Sequence, residues 1–269
     1  MSRFDHLRVK PGSKVRLGDH DPGDRLGYDT KAAATAATQE HAEHLVELTA
    51  KLSATRARAV LLVLQGMDCS GKDGTTRAAF ASVSPTNLKV VSFKAPSSTE
   101  LAHDFLWRVH ANLPERGQIG VFNRSHYEDV LVVRVDNLVP EAVWSKRYDA
   151  INAFEQHLVN EGTVIVKVML NLSRDEQLVR LRERLANPTK NWKFSADDVA
   201  KRKQWDDYMV AYRAMLERTS TDWAPWYVVP ADHNSVRNAA VTELLVEALD
   251  RLDMQWPPLD PAVKTLTLE

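Results

Sequence analysis

Gly66, Gly71 and Lys72 stand at the spacing G-x-x-x-x-G-K, inside the run Gly66-Met67-Asp68-Cys69-Ser70-Gly71-Lys72-Asp73-Gly74-Thr75-Thr76. That spacing belongs to a loop that wraps a phosphate. Glycines let the backbone turn several amide N–H groups inward on one anion. A helix beginning at the loop points its positive dipole end at the same place. Lys72 adds a full charge on a flexible stem. The expected phosphate contacts are Gly66, Cys69, Ser70, Gly71, Lys72, Asp73, Gly74 and Thr75. A glycine-rich turn that binds nothing is the plainer alternative. Against it, the loop follows the apolar run 59–64 and precedes a helical pattern, the order that phosphate binding requires.

Two carboxylates make this loop unusual. Asp73 occupies the place where a Ser or Thr hydroxyl normally meets Mg2+, which argues against an ordinary ATPase or GTPase. Asp68 lies within the loop itself. A carboxylate among phosphates is costly unless a cation intervenes, so Asp68 is a candidate Mg2+ ligand.

A second cluster follows the apolar run 119–122: Asn123-Arg124-Ser125-His126-Tyr127-Glu128-Asp129. Ligand groups in parallel α/β sheets gather at the carboxyl ends of strands. Many phosphate-loop proteins carry a Mg2+-binding Asp here, whereas this chain has the uncharged Asn123. Glu128 could supply the charge, through water to a metal or by orienting an acceptor. Arg124 is suited to bidentate phosphate contact. Ser125 with Glu128 also matches a helix capping box, and both readings stay open.

A third candidate is the stripe Glu176, Arg180 and Arg184, spaced four residues apart on one helix. It reads either as a solvated, salt-bridged face or as the start of a mobile lid over phosphates. The basic stretch Asn187-Pro188-Thr189-Lys190-Asn191-Trp192-Lys193-Phe194 behind it favours a lid at about 174–204. Lys190, Lys193, Lys201, Arg202 and Lys203 could line a polyanion path. Trp192, Phe194, Trp205, Tyr208 and Tyr212 could stack on a base, although aromatics at helical spacing are more often core.

These groups need a scaffold. Short apolar runs at 59–64, 89–93, 119–122, 164–170 and 226–229 read as strands. Helical patterns at 31–53, 101–109, 142–159, 175–185, 196–218 and 235–252 separate or flank them. Strands alternating with helices imply an α/β fold with a parallel sheet between helical layers. Residues 1–30, rich in glycine, proline and basic side chains, read as an irregular arm or a solvated leader. Residues 31–269 read as one domain.

The bulk numbers remove other classes. The longest apolar run is too short to span a bilayer, and the N-terminus lacks an apolar signal core, so a cytoplasmic protein without a membrane is expected. A formal net charge of −1 offers no broad basic surface for nucleic acid. One cysteine, Cys69, permits no intrachain disulfide and no cysteine-rich metal site. No serine sits in a G-x-S-x-G elbow.

Together these segments resemble the polyphosphate kinase 2 family. The resemblance rests on Leu64 to Asp68 with Gly71 to Gly74, on Phe93-Lys94-Ala95-Pro96-Ser97, and on Asp104-Phe105-Leu106-Trp107-Arg108. It continues through Phe122 to Leu131, Ser173 to Gln177 with Arg180 and Arg184, Trp192-Lys193-Phe194, and Ala224-Pro225-Trp226. It implies a P-loop kinase-like, three-layer αβα sandwich with a helical lid. It implies reversible phosphate transfer between inorganic polyphosphate and AMP, ADP or ATP, with Mg2+ or a substituting Mn2+, in a homo-oligomer (dimer or tetramer). Asn123 with Glu128 resembles the subgroup that accepts both AMP and ADP. By the same likeness, Asp68, Lys72, Arg124, Arg180 and Arg184 are the expected catalytic residues, and Asp68 and Glu128 the metal ligands. Lys94, Asn123, Arg124, Glu128 and Arg134 are the expected nucleotide contacts. An ATP-dependent nucleoside monophosphate kinase is the alternative, with the same fold and a different donor.

Overall fold

The computed structural model describes residues 3–263 and residue 266. Residues 1, 2, 264, 265 and 267–269, which belong to the expected arm and domain, lie outside the described residues. Five strands form one sheet: β1 (Ala59–Gln65), β2 (Leu88–Ser92), β3 (Ile119–Asn123), β4 (Thr163–Asn171) and β5 (Trp226–Pro230). Their order across the sheet is β2-β3-β1-β4-β5, and every pairing is parallel. The central strand β1 is buried along its whole length, as its unbroken apolar run requires.

Successive side chains of β1 feed opposite faces of the sheet. Val60, Leu62 and Leu64 join one core, Leu61 and Val63 the other. The first core is covered by α1 (Lys31–Thr55), α2 (Lys72–Ala79) and a long C-terminal helix, Asn234–Asp250. Before β3 come two single turns, α3 (Ser98–Leu101), largely exposed, and α4 (Trp107–His110); α4, α5 (Val132–Val135) and α6 (Glu141–Asn160) lie on the second core. After β4 come α7 (Arg174–Ala186), α8 (Ala196–Lys203) and α9 (Trp205–Thr219), and the C-terminal helix is α10. The result is the three-layer sandwich anticipated from the alternation of runs. Among the described residues, no helix is long and apolar enough to cross a membrane.

Three expectations change. The stretch 101–109 is not one helix. Asp104 Oδ1 accepts from the Leu106 amide at 2.9 Å, an Asx turn that separates α3 from α4. The stretch 196–218 is two helices, broken at Gln204. Lys201, Arg202 and Lys203 crowd the last turn of α8, where positive charge favours a helix end. The arm is irregular but not a solvated leader. Phe4, Leu7, Val9, Val15, Leu26 and Tyr28 are buried, and the Val9 amide donates to the Trp226 carbonyl at 2.8 Å, so the arm straps the outer edge of β5.

Beneath the second cluster lies a buried polar core. Lys167 of β4 donates to Glu155 Oε2 of α6 at 2.6 Å, to the Thr219 carbonyl at 2.7 Å and to Tyr127 Oη at 3.0 Å. Tyr127 in turn donates to Glu155 Oε1 at 2.7 Å, and His126 Nε2 stands 3.2 Å from the same oxygen. Burial would raise the Glu155 carboxyl, but Lys167 and His126 together outweigh it and hold it below its usual range. This network fixes the turn 126–129 against β4 and α6.

Candidate active site

The parallel sheet brings the carboxyl ends of β1, β3 and β4 side by side, and the sequence clusters therefore converge. A cavity of about 1050 Å³ opens there. Its floor is the phosphate loop: Asp68, Cys69, Gly71, Lys72, Asp73 and Gly74. One wall is Lys94 after β2, Asn123 at the end of β3 and Arg124 just beyond it. The opposite wall is Arg180 and Arg184 of α7 with Lys190, Trp192, Lys193 and Lys201.

The loop's backbone follows from its glycines. Gly66, at φ 149, passes so close to the Leu170 carbonyl that a side chain there would clash. Gly71, at φ 98, caps α2 in a left-handed turn. Two non-glycine residues that line the cavity share that conformation, Cys69 at φ 67 and Arg124 at φ 62. Each costs on the order of 1–2 kcal/mol, and such strain gathers at functional sites.

Charge is arranged tightly around the floor. Lys72 is buried, and its Nζ donates to the Gly66 carbonyl at 2.7 Å and the Met67 carbonyl at 3.3 Å. Burial lowers its pKa, with Asp68 opposing. Arg124 Nη2 donates to Asp68 Oδ1 at 2.7 Å. Burial would raise the Asp68 carboxyl, but Lys72 and Arg124 outweigh it, so Asp68 stays ionised below its ordinary 3.8. Asn123 Nδ2 donates to Asp73, which also pairs with Lys193 at 3.3 Å across the cavity. Asp73 is thus engaged by two neighbours.

Glu128 lies beside these groups, under the charges of Arg124 and Lys72, but does not line the cavity. Burial raises its pKa. The capping-box reading holds only in part. Ser125 Oγ accepts from the Tyr127 amide at 3.2 Å, while the Glu128 carboxyl turns toward Gln65 instead.

Other expected residues are distributed unevenly. Ser70 and Thr75 are buried behind the loop rather than on its open face. Arg180 lines the cavity, yet its guanidinium is occupied by Glu176 and by the carbonyls of Cys69, Ala231 and Asp232, between 2.8 and 3.0 Å. It ties α7 to the loop and to the end of β5. Arg184 faces the cavity 3.5 Å from Asp198. Arg134 lies elsewhere, its guanidinium 4.6 Å over the Trp144 ring and within reach of Tyr148. Arg202 and Lys203 face a separate apolar groove behind α7, so of the five basic residues expected along a polyanion path only Lys190, Lys193 and Lys201 line the cavity. Trp205, Tyr208 and Tyr212 are core, whereas Trp192 is 74% exposed at the cavity rim.

Sequence reasoning missed Gln177, Arg77 and Arg237. Gln177 is buried and donates to the Asp68 carbonyl at 3.0 Å. Arg77 lines the cavity from α2, five residues beyond Lys72, a spacing that the loop motif does not include. Arg237 lies in α10, far along the chain from any motif, and packs against the loop from behind.

The comparison with known proteins decides the family. The family model described as Polyphosphate kinase 2 (PPK2) matches residues 28–257. The chain belongs to the polyphosphate kinase 2 family. The AMP/ADP-polyphosphate phosphotransferase of Meiothermus ruber is 48% identical over 97% of this chain and 98% of its own length. The ADP-polyphosphate phosphotransferase of Rhodopseudomonas palustris is 46% identical over 95% of this chain and 93% of its own. The crystal structure of Polyphosphate Kinase 2 from Arthrobacter aurescens TC1 superposes with a TM-score of 0.93 at 44% identity. It covers 98% of this chain and 95% of that one. The polyphosphate kinase 2 likeness therefore spans the arm, the loop, the β3 cluster and the α7–α8 region together.

Proposed function

We propose that this chain is a polyphosphate-dependent nucleotide phosphotransferase, moving phosphate reversibly between inorganic polyphosphate and AMP or ADP. One observation carries the reading: a family phosphate loop whose Asp68 carboxylate stands ionised against Arg124 at 2.7 Å in a cavity walled by lysines and arginines. Such a floor suits a substrate that is phosphate throughout its length.

The residues fit a hard divalent cation shared with substrate. Among the described residues, no group of three or more His, Cys, Asp or Glu side chains could cage a metal. Mg2+ needs no such cage, since one or two carboxylates, phosphate oxygens and water complete its shell. Asp68 is one of the carboxylates that line the cavity and lies within the phosphate loop, and Mg2+ or a substituting Mn2+ is proposed there. Bound there, the cation neutralises charge on the reacting phosphates. Glu128, buried with a raised pKa, acts instead behind Arg124 and Lys72.

The chain's own groups supply the rest. The loop amides and Lys72 hold the donor phosphate. To reach it, Lys72 exchanges its bonds to the Gly66 and Met67 carbonyls for the anion. Arg124 and Arg184 bear on the transferring group from opposite walls. Lys94 and Asn123 lie on the acceptor side. The nucleophile is a nucleotide phosphate oxygen, already ionised, so no strong base is required. Catalysis is then positioning and electrostatics. Arg180, saturated by backbone carbonyls, supports the loop and does not touch the transferring phosphate. Cys69, free and partly buried, suits a reducing compartment and supports a cytoplasmic location.

A donor swap tests the reading. Product from AMP with polyphosphate, and none with ATP as the only donor, is expected. Turnover of AMP with ATP alone would favour a monophosphate kinase.

A further inference from the structure

Arg237 of α10 is 2% exposed and sits behind the phosphate loop. Its Nη1 donates to the Ser70 carbonyl at 3.1 Å and to Asn234 Oδ1. Its Nε donates to Thr75 Oγ1 at 2.7 Å. Nε and Nη2 both reach Asn238 Oδ1, at 3.2 and 2.8 Å. A side chain on Gly71 would collide with this guanidinium, so the loop's turn and Arg237 are built against each other. Every one of these acceptors is neutral.

A buried cation is expensive unless an opposite charge balances it. Among the described residues, the charge acting on Arg237 is that of another cation, Arg180. Burial first, and Arg180 second, pull the guanidinium down to about 9, so it stays charged at neutral pH. The protein holds an uncompensated positive charge directly behind Gly71. The other face of the same loop opens to the cavity through Gly71, Lys72, Asp73 and Gly74.

We infer that Arg237 is a positioning residue for the donor phosphate, holding the loop's shape through Ser70 and Thr75 while its charge is balanced by bound polyphosphate. The inference rests on the proposed polyphosphate reading.

The variant Asn238→Asp tests it, because Asn238 Oδ1 already accepts from two nitrogens of Arg237 and does not line the cavity. A carboxylate of the same shape supplies the counter-charge from within the protein. The full chain is melted with and without tripolyphosphate, and KM and kcat for long-chain polyphosphate are measured with ADP. The ligand-free Tm should rise, and the rise in Tm caused by tripolyphosphate should shrink. KM for polyphosphate should increase on the order of tenfold, with kcat changing much less. Arg237→Lys should keep more of the tripolyphosphate response than Arg237→Gln. A variant Asn238→Asp with unchanged tripolyphosphate response and unchanged KM would overturn the inference, and so would one that fails to fold. A wild-type protein stabilised by tripolyphosphate but inactive with polyphosphate would overturn the functional reading alone, since the melting arm needs no turnover.

Discussion

Arg124 Nη2 and Asp68 Oδ1, 56 positions apart in the chain, meet at 2.7 Å and join the end of β3 to the loop after β1. The pair places a cation and a proposed metal-binding carboxylate over one phosphate site. Asp68→Asn should lower kcat by about two to three orders of magnitude, as removal of a preorganised electrostatic group does elsewhere. Arg124→Lys should fall by a smaller factor, keeping the charge but losing the planar fork. Steady-state rates with polyphosphate and ADP, beside a circular dichroism spectrum that shows an unchanged fold, check both.

Asn123 donates to Asp73, and this contact depends on the side chain being an amide. Asn123→Asp sets two carboxylates against each other at hydrogen-bonding range. Like charges so close cannot both ionise freely, so one is pushed up in pKa. Activity should therefore drop near pH 8 and recover in part as pH falls. A pH–rate profile that parallels the wild type would count against the contact.

Glu128 carries a raised pKa because it is buried, despite Arg124 and Lys72 nearby. For a carboxyl raised on folding, the neutral form favours the folded state. Stability from this group is full below its ordinary 4.5 and is lost as pH rises through the folded value. Glu128→Gln should thus raise Tm at pH 8, with the gain fading toward pH 4. Melting curves across that range test the sign. A gain that grew on acidification would contradict it.

The Glu155–Lys167 pair is fully buried at 2.6 Å. Removing one partner leaves a lone charge in the core, at about 3–5 kcal/mol. Glu155→Leu should lower Tm by about 10 °C, given the chain's size. Glu155→Leu combined with Lys167→Met should recover much of the loss. Because the network seats the turn 126–129, the single variant should also reduce kcat at temperatures where it remains folded.

Much of the scaffold could be read from the chain because a buried strand must be apolar throughout. The run 59–64 fitted a strand buried on both faces, and the loop that follows carries its own spacing rule. Helix continuity was less legible. The break at Gln204 and the turn at Asp104 depend on local bonds that periodicity does not register. Arg134 and Arg180 show a second limit. Composition reveals a cation but not what satisfies it, and these two are taken up by Trp144 and by backbone carbonyls. Arg237 shows the reverse, for nothing near it in sequence marks a residue that lies against the loop.

The most direct measurement starts from polyphosphate labelled with 32P and unlabelled AMP, with Mg2+ and no ATP. Label should pass into ADP and then ATP in step with shortening of the polymer, and Asp68→Asn should slow both by about two to three orders of magnitude. Label remaining in polyphosphate or released only as free phosphate, with the nucleotides unlabelled, would contradict the account.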